Sequence, residues 1–348
     1  MTFRFNFLSE NINTEDEVIL VDEVDDNSKL PHEQTQNNNA SKISSKLIPA
    51  DEILITSLKD ILPQSLMIER VYFSTKEEME QTFLYKRLVT DVKFQIAQED
   101  VLDETDQNSY SSVKIIELTA ENDLVQGVYE GGLKTWECSL DLIRYLSSII
   151  KDIDLVDKKV LELGCGSALP SIFLLSNQQF LRIDFQDYNE QVLKLVTIPN
   201  ILVNTIFRSQ TINSFYNDDV AELNVSNEEK CLEQVKFSRF FKGDWSRLLE
   251  VMNLQSNEEK YDIILTSETI YNSDSLPKLY NVIKNSLKRP NGVAYIAAKT
   301  IYFGVGGGIL AFRHIIEQEN LFEISVVYTV TEHVRREILK LSFLNSIS

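Results

Sequence analysis

The sequence predicts a doubly wound α/β domain: a mostly parallel sheet that ends in an antiparallel hairpin. Three observations carry this. Short apolar runs alternate with helix-compatible stretches from Gly127 onward, a glycine pair follows the first of those runs, and two long β-rich segments close the chain. The strand candidates are Lys159–Leu163, Arg182–Phe185, Phe237–Phe241, Tyr261–Thr266 and Val293–Ala298. Phe322–Val330 and Arg336–Leu344 follow, joined by about half a dozen residues. That is too few for a helical crossover, so the last two strands pair antiparallel, giving seven in all.

The preceding chain reads differently. Up to Glu52 it holds 11 acidic and 4 basic residues, net −7, and the polar run Glu33–Lys42 buries too little apolar area to offset its ordering entropy. Residues 1–50 therefore read as an acidic tail, disordered over 9–48. Within it Phe3, Phe5 and Phe7 alternate, spacing that suits a short edge strand or a partner contact. Residues 51–126 read as an extension packed on the core. It carries strand-like runs at Leu66–Phe73 and Val113–Leu118, and Ser74 to Glu77 is spaced as a capping box. The core domain spans 127–348. Ile206–Glu233, rich in Asn, Ser and acids, reads as a surface insertion without assigned function.

Composition excludes several classes. With 53 acidic and 34 basic residues the formal charge is −19, which argues against direct nucleic-acid binding or attraction to an anionic membrane. No apolar run approaches the roughly 18–20 residues of a spanning helix. Three scattered cysteines and three histidines form no C-x-x-C or H-x-x-x-H pair, so no metal site is predicted. No G-x-S-x-G occurs either. His314 reads as a surface or satisfied histidine, and His333 belongs to the hairpin connection. A monomer in the cytoplasm is the expectation, with nuclear passage left open.

The chemistry concentrates at strand ends. Val160–Pro170 contains Glu162-Leu-Gly164-Cys-Gly166-Ser-Ala168, a strand running into a glycine turn and then a helix, where backbone can approach a nucleotide-type ligand. Leu169 stands where a dinucleotide fingerprint needs its last glycine, which lowers the case for NAD. Asp187, in Gln186-Asp-Tyr188, ends the second strand, where a carboxylate can accept from both ribose hydroxyls. Gly243-Asp244-Trp245 ends the third; there a carboxylate can meet an adenine amino group and an indole can cover the base, or Asp244 caps a helix and Trp245 fills core. Ser267, Glu268 and Tyr271 follow the fourth strand and face the reacting group. Cys165 sits between two loop glycines and reads as packing rather than as a nucleophile.

The E-x-G-x-G string, with Ala168 in place of a final glycine, resembles S-adenosylmethionine-dependent methyltransferases, whose seven-stranded Rossmann-like sheet also ends in an antiparallel hairpin. Gly127–Asp141, Ala298–Gly308 and the strings ending the second to fourth strands together resemble the protein-histidine methyltransferase family that acts on a large-subunit ribosomal protein, and the acidic amino terminus resembles its fungal members. The resemblance covers roughly Gly127 to Phe322. It implies S-adenosylmethionine as cofactor, contacted by Thr135, Trp136, Glu137, Cys138, Ser139, Glu162, Gly164, Gly166, Gln186, Asp187, Tyr188, Gly243, Asp244, Trp245 and Ser267. It implies methylation of the distal (tele) ring nitrogen in a basic ribosomal protein and a role in ribosome biogenesis or translation. Glu268 and Tyr271 are the catalytic candidates, Glu268 to fix the imidazole tautomer. The alternatives are a lysine methyltransferase, which shares the Glu268-x-x-Tyr271 spacing, and a non-catalytic cofactor-binding scaffold.

Overall fold

The computed structural model describes residues 2–3, 47–59, 61–74, 82–102, 124–125, 128–178, 181–215, 220–225 and 228–344. Among them the strands are β1 Thr2–Phe3, β2 Asp51–Glu52, β3 Ser65–Tyr72, β4 Phe83–Arg87, β5 Leu124–Val125, β6 Lys159–Leu163, β7 Arg182–Asp187, β8 Val220–Asn224, β9 Phe240–Lys242, β10 Ile263–Ser267, β11 Val293–Lys299, β12 Phe322–Val330 and β13 Arg336–Phe343. The main sheet runs β12-β13-β11-β10-β6-β7-β9-β2. Strands β11, β10, β6, β7 and β9 are parallel to one another, and β13 lies antiparallel between β11 and β12. The seven expected strands are all present, and β2 adds an antiparallel eighth at the edge.

Period-two alternation splits each central strand between two cores. Val160, Leu265 and Ala297 face one, with Ile172, Ile201 and Phe185. Leu161, Leu163, Ile264 and Ile296 face the other, with Leu279, Ile283 and Phe312. A strand covered on both faces is buried at nearly every position, as β6 and β10 are. Helices α1 Val89–Leu102, α2 Glu137–Ile149, α3 Leu169–Asn177, α4 Ile198–Asn204, α5 Arg208–Ser214, α6 Glu228–Lys236, α7 Leu248–Met252, α8 Leu276–Ser286 and α9 Ile309–Glu319 are set around these strands. From β6 the chain builds outward through β7 and β9, then returns to β10 on the opposite side of β6. That reversal opens a crevice at the carboxyl ends of the strands.

Several expectations change. The third core strand begins at Phe240, because Phe237 is 60% exposed in the turn that follows α6. The 206–233 region is no mere surface insertion: β8 pairs antiparallel with β3, completing a three-stranded sheet β4-β3-β8, and it buries Phe207, Phe215, Leu223 and Cys231. Leu47 and Ile48, read as tail, are placed beside the main sheet, where the Asp244 N–H donates to the Ile48 carbonyl at 2.9 Å. Phe3 pairs with Leu124 in a short antiparallel ribbon. The rest of the tail, the Val113–Leu118 run and the helix expected after Ser74 lie outside the described residues, and the Ser74 hydroxyl accepts from the Thr82 N–H at 2.8 Å. Among the described residues no helix is long and apolar enough to cross a membrane, and no trio of His, Cys, Asp or Glu is grouped to hold a metal.

Candidate active site

The crevice is a cavity of about 820 Å³, within the range of small-ligand sites. Its floor is the turn after β6. Gly164, Gly166 and Ala168 all have positive φ, at 61°, 50° and 55°. Glycine enters that region freely, whereas at Ala168 the left-handed conformation carries strain of roughly 1–2 kcal/mol. The alternation the sequence shows as G-x-G-x-A is therefore one of backbone handedness. Glu162 does not line the cavity; its Oε2 accepts from the Ser171 N–H at 3.1 Å, satisfying an otherwise orphaned donor in the first turn of α3. Burial pushes its carboxyl up to about 8.

Gln186, near the end of β7, joins two loops. Its Oε1 accepts from the Gly164 N–H at 3.2 Å and from the Trp245 indole at 2.7 Å, while Nε2 donates to the Gly243 carbonyl at 2.9 Å. Asp187 is buried at the end of β7. Its Oδ2 accepts from the Gly166 N–H at 2.9 Å and its Oδ1 from the Asn189 N–H at 3.1 Å. Asp187 lines the cavity, where a carboxylate can accept from a ligand's hydroxyls. Burial raises Asp187 to about 6 despite those backbone donors. Asn189 in turn accepts from the Glu130 N–H at 3.2 Å and donates to the Val128 carbonyl at 2.8 Å, drawing the segment before α2 across the cavity.

Both sequence readings of Gly243-Asp244-Trp245 have a counterpart. Asp244 and Trp245 line the cavity, yet Asp244 also caps the turn at Ser246 (2.9 Å) and pairs with Lys278 at 2.9 Å. Burial alone raises its carboxyl, but Ser246 and Lys278 outweigh that and hold it below the ordinary aspartate range. Beside it the Ile48 N–H donates to the Tyr188 hydroxyl at 3.1 Å, so residues 47–48 strap the mouth of the cavity.

Glu268 and Tyr271 also line the cavity. Glu268 has φ 56°, a left-handed position for a non-glycine residue of the kind that collects at functional sites. Its Oε1 accepts from the Cys138 N–H at 3.4 Å, and its Oε2 accepts from the Tyr302 hydroxyl. Of the remaining expected residues Trp136, Ser139, Tyr188 and Ser267 line the cavity, and Thr135, Glu137 and Cys138 stand behind it. The Thr135 hydroxyl meets Ser167 Oγ at 3.3 Å, the Glu137 carboxylate lies 3.6 Å from Arg336, and the Cys138 side chain is buried. Burial pushes the Cys138 and Cys165 thiols well up, which leaves both unreactive. His314 is exposed on α9 and His333 is exposed in the hairpin connection.

Sequence reasoning passed over Leu47, Gly131, Gly132 and Lys278 in the lining and Tyr302 behind it. The glycines and Tyr302 lay in segments already singled out; Leu47 carried no signal, being an apolar residue at the end of a polar tail.

The donor set fits S-adenosylmethionine. Glu130, Asp187, Asp244, Glu268 and Asp274 line the cavity against Lys134 and Lys278. That excess of carboxylates suits a ligand bearing a sulfonium and an ammonium and disfavours a pyrophosphate. Asp187 and the glycine turn would hold its ribose and Trp245 its base.

No protein-family model matches the chain. It is similar to histidine protein methyltransferase 1 of Schizosaccharomyces pombe, 33% identical over 88% of the chain and 90% of that protein. It is also similar to histidine protein methyltransferase 1 of Saccharomyces cerevisiae, 30% identical over 97% of the chain and 98% of that protein. A Bos taurus homolog is 40% identical over 65% of the chain, a match that spans 58% of the bovine protein's length.

Proposed function

From the premise that the chain belongs to the histidine protein methyltransferase family, we propose that it transfers a methyl group from S-adenosylmethionine to a histidine ring nitrogen of another protein. The observation that carries this is one cavity lined both by Asp187 and the glycine turn and by Glu268. When bound, S-adenosylmethionine supplies a methyl group on a positively charged sulfur, ready to leave without its electron pair. Neutral imidazole needs no strong base to attack it, since its unperturbed pKa of about 6.5 leaves a free lone pair at pH 7. The chain's residues select and aim. Glu268 accepts from the ring N–H, which leaves the opposite nitrogen as nucleophile and steadies the positive charge that develops on the ring. Tyr271 and Trp245 bound the apolar slot.

The finer reading is the distal nitrogen of a histidine in a large-subunit ribosomal protein, with a role in ribosome biogenesis or translation. Charge supports it: a chain at −19 is attracted to a basic protein free of RNA and repelled by the assembled particle. The enzyme then acts as a monomer in the cytoplasm, on newly made substrate.

Calorimetric titration with S-adenosylhomocysteine tests the cofactor half. The native chain binds saturably, and Asp187→Ala binds about 10- to 100-fold more weakly, the loss expected for hydrogen bonds to a charged group. A native chain that does not bind, or a variant that binds equally well, would overturn this reading.

A further inference from the structure

Tyr302 has no part in the account so far except as the partner of Glu268. It stands in the loop after β11, with its ring buried. Its hydroxyl accepts from the backbone N–H of Lys299 at 3.3 Å, which directs its single proton to Glu268 Oε2. The loop itself is fastened to the turn that carries Glu268. The Gly307 N–H donates to the Tyr271 carbonyl at 3.0 Å, the Gly308 N–H donates to the Ile270 carbonyl at 2.7 Å, and the Tyr302 N–H donates to the Gly307 carbonyl at 3.2 Å. The Tyr271 and Tyr302 rings meet edge-on, with centroids 6.4 Å apart. A strained residue at the cavity wall is thus held from behind by a buried phenol on a separately pinned loop.

We propose that Tyr302 is a positioning residue of the transfer site: it orients the Glu268 carboxylate so that its remaining lone pairs face the cavity and select the imidazole tautomer. This rests on the histidine reading above. A carboxylate on a flexible side chain gains little from being acidic and much from being aimed, since misplacement by about 1 Å costs on the order of 100-fold in rate. The titratable groups in contact with Glu268 are Cys138 from α2 and Tyr302 from the loop after β11, and the Lys299 ammonium lies 5.7 Å from the Tyr302 ring centroid. Burial, and then Glu268 itself, raise both Tyr302 and Cys138 well above their ordinary values, so both stay protonated at neutral pH.

Tyr302→Phe keeps the ring and removes the donor. The assay is methylhistidine formation on RNA-free total ribosomal protein, beside calorimetry with S-adenosylhomocysteine. The expected result is cofactor affinity within about twofold of native and a kcat lower by about tenfold or more, because the carboxylate is no longer aimed. A native kcat would overturn the proposal. So would a loss of cofactor affinity and thermal stability in step with kcat, which marks a structural role. Glu268→Ala, which removes the acceptor altogether, separates the two levels. If that variant keeps full activity, the role given to Glu268 itself fails; if it is impaired while Tyr302→Phe is not, only the positioning role fails.

Discussion

Glu162 shows how a motif residue can serve the site without touching it. It is 1% exposed, and its carboxylate holds the first turn of α3 rather than a ligand. Burial raises its pKa from 4.5 to about 8. Between those values the unfolded chain ionises this group while the fold keeps it protonated, so its contribution to stability falls as pH rises and levels off above about 8. Glu162→Gln keeps the acceptor and removes the titration. The variant should match native stability near pH 4.5 and exceed it increasingly up to pH 8, by on the order of a few kcal/mol. Parallel denaturation curves at all pH values would show that Glu162 is not the titrating group. Asp187 was legible from sequence because the end of the second strand is where an acid meets a ribose. Ala168 was legible only as a departure from pattern, and its positive φ shows what that pattern encodes. Tyr302 was not assigned a role, since an aromatic in a glycine-rich loop has no periodicity and its partner is 34 residues away.

At the scale of elements, strands buried on both faces were the most legible, because apolar runs such as Val160–Leu163 and Ile263–Thr266 have no competing reading at that length. Elements fixed by tertiary pairing were not. Strand β8 gains its place from register with β3, and β2 from register with β9; neither segment is apolar enough to announce itself. The extension reaches the site through Asn200, which accepts from the Arg87 N–H at 2.7 Å and donates to the Ser167 carbonyl at 3.0 Å. The strap at 47–52 has the more direct consequence. Gly243 has φ 90°, and a Cβ there would lie 2.3 Å from the Pro49 carbonyl oxygen. Gly243→Ala must therefore displace the strap from the cavity mouth, and S-adenosylhomocysteine affinity should fall about tenfold, the scale of one or two lost contacts. Calorimetry on the variant checks this, and unchanged affinity would remove the strap from the cofactor wall.

For the whole molecule, the parallel sheet fixes where chemistry can occur, and the strand-order reversal beside β6 gathers Gln186 and Asp187, Gly243, and Glu268 from three separate strand ends. The central claim is that this gathering serves histidine. It is tested most directly by incubating the native chain with S-adenosylmethionine carrying a labelled methyl group and RNA-free total ribosomal protein, then identifying the labelled amino acid after complete hydrolysis. Label recovered as the distal-nitrogen methylhistidine, from a single protein of the large subunit, is the predicted result. Label recovered as methyl-lysine, or no label above that of a Glu268→Ala control, would contradict it.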